Sequence, residues 1–151
     1  MEKEKKDLAE LLAKGQTVEI YPQGNSMYPL VIPGRDRVVL APFVRQRDRI
    51  RRGDVLLFRR KNSILVLHRV CRVTREGVYF VGDNQRVVEG PIAPSQILGR
   101  SVGFVRQGHR ISIHHPLYVI CTGAWLLFLP LRPTAWKLLA AIRRILGRGR
   151  K

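Results

Sequence analysis

Acidic residues are what this chain has least of: 11 Asp and Glu stand against 28 Lys and Arg in 151 residues, a formal net charge of +17. A surplus of that size points to an anionic partner, either nucleic acid or an acidic membrane surface. Cysteine is scarcer still. Cys71 and Cys121 lie far apart in apolar surroundings, which excludes a dense secreted disulfide framework and suits reduced, buried thiols. The start of the chain lacks an apolar run behind Glu2-Lys3-Glu4-Lys5-Lys6, so it does not have the pattern of a secretory signal. Zinc-finger spacing, an RNA-binding aromatic signature and a helix-turn-helix pattern are missing as well. Nucleic acid is therefore supported by charge alone and is not the expected partner. No internal repeat or low-complexity linker interrupts the chain before residue 115, and a chain of this length buries a core as one domain without staples.

What is present is a series of short apolar runs separated by turn residues. Leu8, Leu11 and Leu12 recur at helical spacing between Asp7 and Gly15, which predicts a short amphipathic helix within residues 1–16. Val18 and Ile20 alternate with polar neighbours over 17–21, a strand that Pro22 ends. Leu30-Val31-Ile32 is apolar and strand-like, and Pro33-Gly34-Arg35-Asp36 then turns the chain into a strand over 37–40. Further strands are expected over 55–58, 64–73, 78–81, 97–105 and 110–113, with a Pro-containing loop over 90–95. Residues 64–73 are apolar on both faces, which predicts a central strand with His68 buried or at the floor of a cleft. The pattern as a whole predicts a mainly β domain over 17–115, a curled antiparallel sheet or a small barrel.

Composition then shifts. Residues 117–131 contain no charge and include Trp125 and Phe128; a basic amphipathic run over 135–146 follows, with Arg132 to Lys151 free of acids. Fifteen residues of helix span roughly 22 Å, short of the roughly 30 Å hydrocarbon core. The segment is either a short or re-entrant membrane segment or a buried helix. Trp125, Trp136 and the arginines that follow favour a membrane-associating tail over 116–151, its basic end on an anionic leaflet.

Two residues carry potential chemistry. Ser26 sits in the small-residue turn Gly24-Asn25-Ser26-Met27-Tyr28-Pro29, and His68 interrupts the most apolar run of the middle of the chain. A hydroxyl is a weak nucleophile until a positioned base takes its proton, and a turn serine with a strand histidine supplies both groups. Taken singly, each also has an ordinary structural reading, since serines favour turns and histidines occur in strands. His109, His114 and His115 have no second ligand cluster at defined spacing, so no metal and no cofactor is expected.

The order of motifs resembles that of the type I signal peptidase and LexA-like serine peptidase superfamily. Those motifs are Gly24 to Pro29, Gly53-Asp54-Val55, His68-Arg69-Val70, Gly82-Asp83-Asn84 and Leu98-Gly99-Arg100, spread over most of the β part. Histidine at the base position is similar to the endoplasmic-reticulum-type and sporulation-type signal peptidases. The resemblance implies a serine endopeptidase that cleaves a signal or leader peptide, with Ser26 as nucleophile and His68 as general base. It also implies a carboxylate that orients the imidazole. Asp83 matches the Gly-Asp-Asn motif, whereas the acid that commonly follows a few residues later is Glu89 here, so the role is divided between them. Backbone N–H groups at Ser26 are the expected oxyanion donors, with Asn25 and Met27 beside them. The expected partner is a peptide or preprotein substrate. Typical signal peptidases carry an N-terminal membrane anchor, whereas the apolar segment here is C-terminal. The competing reading is a non-catalytic or regulatory peptide-binding protein on the same fold, and neither the oligomeric state nor the side of the membrane is specified.

Overall fold

The computed structural model describes residues 2–61 and 64–128, with backbone alone for 2–6. Helix α1 (Glu2–Ala13) precedes strands β1 (Val18–Ile20), β2 (Asp36–Pro42), β3 (Val55–Arg59), β4 (Leu65–Val73), β5 (Val78–Val81), β6 (Glu89–Ile92), β7 (Ile97–Arg106) and β8 (His109–Ser112), and helix α2 (Pro116–Leu127) follows. All pairings are antiparallel. The strands form one sheet in the order β1-β2-β7-β3-β4-β5-β6, with β8 added to β7.

The sheet does not close, so the curled open sheet and not the barrel is what the chain forms. The ends of the order explain why. β1 has only three residues, and β6 contains Pro91, which has no N–H to give to a further strand and suits an edge. β7 is the spine. Its first half lies between β2 and β3, and its second half exchanges β3 for β8. Register shifts at Val39/Leu40 in β2 and Leu57/Phe58 in β3 bend the sheet where these strands meet β7.

Both faces of β3 are covered, which accounts for its uninterrupted apolar run. Val55 and Leu57 join Leu12, Met27, Val31, Val38 and Leu40 in one core, closed over by α1. Leu56 and Phe58 join Val70, Val78, Phe80 and Ile97 in the other. There the Phe58 and Phe80 rings stack with centroids 4.3 Å apart.

Several local expectations are corrected. Leu30-Val31-Ile32 is turn, not strand. The Ile32 N–H donates to the Asp36 carboxylate at 2.9 Å, which is itself held by Arg35 and Arg106, and the Val31 N–H bonds back to Met27. Two of the run's three N–H donors are taken in this way and do not pair with a sheet. The loop expected over 90–95 begins as strand β6, because Val78 and Phe80 pair with Ile92 and Glu89. Cys121 is exposed on α2 rather than buried.

Helix α2 lies against the domain by one face. Thr122 and Leu126 are buried, and the Trp125 indole N–H donates to the Asp83 carbonyl at 3.0 Å. No helix among the described residues is long and apolar enough to cross a membrane. Residues 129–131 of the expected apolar segment, and the basic run 135–146, lie outside the described residues.

Candidate active site

The Ser26 turn is built from the core outwards. Gly24 adopts φ +76°, in the left-handed region that favours glycine, and the turn closes through Tyr28 N–H to Asn25 O at 3.2 Å. Met27 is buried in the α1 core and anchors the turn, which leaves Ser26 half-buried and Asn25 exposed. Among the described residues, neither the Ser26 nor the Met27 N–H donates to a backbone carbonyl.

The Gly82-Asp83-Asn84 segment holds this turn from outside. The Asn84 N–H donates to Ser26 O at 2.8 Å. Gly82 packs so close that a Cβ there would lie 2.8 Å from the same oxygen. Glycine is required at this point by contact, not by conformation.

His68 stands on β4 opposite Leu56, 3 % exposed, with its ring edge-on to Phe58 at 6.2 Å between centroids. Ser26 and His68 line one cleft of about 550 Å³, with Met27, Arg60 and Gln85 as further polar and sulfur-bearing groups and Leu8, Ile20, Leu57, Leu65 and Leu67 as apolar wall. Burial lowers the His68 pKa from its ordinary value, and Arg60 adds to this, while Glu89 and Asp83 oppose it. The imidazole is therefore neutral at physiological pH, the form that accepts a proton. Its Nδ1 is buried without a hydrogen-bond partner, and Glu89 Oε2 lies 3.8 Å from it.

The two expected carboxylates occupy different surroundings. Neighbours on a strand point to opposite faces, so Arg69 leaves β4 away from His68. There it forms a two-pronged ion pair with Asp83, Nε to Oδ1 at 2.8 Å and Nη2 to Oδ2 at 2.7 Å, with both side chains fully buried. Arg69 also donates to Gly53 O at 2.9 Å and to the Tyr118 hydroxyl on α2. Desolvation works against the Arg69 charge, but Asp83 outweighs it and the guanidinium pKa is raised. Glu89, on the edge strand β6, is gripped by the Arg60 fork, with Nη2 to Oε2 at 2.6 Å and Nε to Oε1 as the second contact.

Ser26 and His68, singled out by the sequence pattern, share the cleft with Arg60 and Gln85, which that pattern does not distinguish. Arg60 is one of many arginines, and only its contact with Glu89 in space distinguishes it. Among the described residues, no three His, Cys, Asp or Glu side chains cluster as a metal site would need. No protein-family model, curated protein or solved structure matches the chain.

One further feature bears on what the cleft holds. β4 pairs with β3 over Leu65–Arg69 but with β5 only from Arg69 onward. Its segment 65–68 is therefore unpaired on one flank among the described strands, and the same four residues line the cleft. The expected central strand is met only at its middle: Arg69 pairs with both neighbours, while 65–68 pairs with β3 alone and 72–73 with β5 alone.

Proposed function

We propose that the protein is a serine endopeptidase of the signal peptidase and LexA-like type, acting on an extended signal or leader peptide. The observation that carries the reading is that Ser26 and His68, 42 residues apart in the chain, line one cleft, with the imidazole held neutral by burial. The substrate strand adds to the open flank of β4 at 65–68, so that main-chain hydrogen bonds hold it and the apolar wall takes its side chains. The Ser26 hydroxyl attacks the scissile carbonyl while His68 accepts its proton, and the imidazolium then gives that proton to the leaving amine. Backbone N–H groups of Ser26 and Met27 face the developing oxyanion. Asn25, exposed beside them, is a secondary donor. Water attacks the acyl-enzyme in the second half of the cycle, with His68 again as base.

Glu89 is the third member in this reading, because only a short movement separates it from Nδ1. Asp83 acts through structure: its carboxylate is spent on Arg69, and its loop holds the Ser26 turn. The decisive test is cleavage of a signal-like or leader peptide by the purified protein against Ser26→Ala and His68→Ala. Each change is expected to lower the rate by at least about a thousandfold, and activity that survives either one overturns the assignment.

One observation favours the competing reading of a non-catalytic peptide-binding protein: Glu89 is engaged by Arg60 and lies beyond hydrogen-bond distance from His68. Under that reading the wild type binds the same peptide and releases it intact.

A further inference from the structure

Helix α2 has two different faces. The inner one, Tyr118, Thr122, Trp125 and Leu126, at spacings of three and four residues, meets the domain through buried groups and hydrogen bonds. The outer one leaves bulky apolar side chains in water: Leu117 is 63 % exposed, Ile120 67 %, Leu127 70 % and Phe128 55 %. A contiguous apolar face of this kind on a surface helix marks a contact site.

Charge identifies what covers it. Glu89 is the last acidic residue of the chain, and the 62 residues after it carry ten Lys and Arg, seven of them from Arg132 to Lys151 immediately beyond α2. A bulky aliphatic face followed in sequence by a basic, acid-free stretch matches an anionic lipid surface, whose acyl boundary accepts the side chains and whose headgroups accept the charge. Duplex nucleic acid offers phosphates but no apolar layer for Ile120 and Leu127. A second copy would bring another +17 against the same face.

We infer that the outer face of α2 docks on an anionic bilayer surface, lying in the interface without crossing it. The inner contacts hold the helix to the domain: Arg52 Nη2 donates to Leu126 O at 3.2 Å, Trp125 Nε1 to Asp83 O at 3.0 Å, and Arg69 to the Tyr118 hydroxyl. Insertion across the hydrocarbon would break all three and strip the cover from the buried Arg69 and Asp83 pair. The twelve residues of α2 are also too short, at roughly 18 Å, to span about 30 Å of hydrocarbon.

The test is co-sedimentation of the full chain with vesicles of phosphatidylcholine alone and with vesicles containing about one third phosphatidylglycerol, at low and high salt. Expected are binding to the anionic vesicles, at least about tenfold weaker binding to the neutral ones, and release by salt. The double variant Ile120→Asp and Leu127→Asp should lose about 100-fold in affinity. A second readout needs no variant: Cys121, exposed on α2, should be protected from maleimide by anionic vesicles and not by neutral ones. The inference is overturned by any of four results: unchanged binding of the double variant, retention of the protein in an alkaline carbonate wash, a dimer that the double variant disperses, or tighter binding to duplex DNA than to vesicles at equal salt. None of these measurements needs peptidase activity, so the result is independent of the reading above.

Discussion

Gly82→Ala adds one methyl group where the turn that carries Ser26 leaves no room for it. The new Cβ would stand 2.8 Å from Ser26 O and 2.8 Å from Gln85 Oε1. The glutamine is the end of a flexible side chain and can swing aside. The carbonyl cannot, because it belongs to the backbone of the Ser26 turn and accepts the Asn84 N–H at 2.8 Å. Reaching ordinary contact at 3.4 Å requires an opening of about 0.6 Å between the two segments. Overpacking of this kind costs about 1–3 kcal/mol of stability. A nucleophile misplaced by about 1 Å loses about 100-fold in rate, so a shift of just over half that predicts a fall of about 10- to 100-fold in kcat. The assay is peptide cleavage well below the melting temperature of both proteins, with thermal unfolding followed in parallel. Gly123→Ala in α2 is the control. No heavy atom lies within 4 Å of its added Cβ, so it should leave cleavage unchanged and stabilise by up to about 1 kcal/mol. Gly82→Ala cleaving at the wild-type rate would refute the claim that this loop positions Ser26.

Three other outcomes are expected. The folded His68 pKa is depressed, so kcat/KM should rise with pH along a limb below 6.5 and be flat through neutrality; Arg60→Met, which removes a cation and frees Glu89, should move that limb to higher pH, and Glu89→Gln to lower pH, while an unmoved limb in both would remove His68 as the base. The same depression means that the unfolded chain takes up the His68 proton first, so the wild type should lose stability as pH falls below about 6.5, and His68→Gln should lack that component in denaturant titrations. Asp83→Asn leaves Arg69 charged and unpaired in the interior and should cost about 3–5 kcal/mol, whereas Glu89→Gln, in a more exposed pair, should cost no more than about 1 kcal/mol while lowering kcat at least tenfold; equal stability losses would contradict the division of roles between them.

Strand periodicity in the sequence located most of the sheet, because β2, β3, β5 and β7 each bury alternating or continuous apolar residues that no other element could use. Where the sequence misled, hydrogen bonds decided the conformation and hydrophobicity did not. Leu30-Val31-Ile32 is as apolar as a strand, yet the Asp36 carboxylate and Met27 carbonyl take its donors. Gly90-Pro91 has the composition of a loop, yet the second of these residues needs no N–H partner at a sheet edge, so β6 forms. Closure was undecidable from the sequence because it depends on whether β1 and β6 meet. The surroundings of Asp83 and Glu89 were equally hidden, since only their arginine partners, 14 and 29 residues away in sequence, separate them.

The motif segments that suggested a peptidase turn out to touch one another, which bears on how much they imply. Arg69 of His-Arg-Val bonds Asp83 of Gly-Asp-Asn and the carbonyl of Gly53, Arg100 of Leu-Gly-Arg reaches Asp54, and Asn84 holds Ser26. Packing accounts for most of those residues, since losing a contact such as Arg69 to Asp83 leaves a buried charge, although Arg100 Nε, like His68 Nδ1, is buried without a hydrogen-bond partner. An imidazole 3 % exposed, with Nδ1 unbonded, costs stability of about 1–3 kcal/mol that a leucine at the same place would not. Ser26, half-buried in the same cleft, is tied to the network through its carbonyl, which accepts the Asn84 N–H. Under the proposed reading, Ser26 and His68 are the groups that acyl transfer uses, and the contacts around them serve to hold them in one cleft.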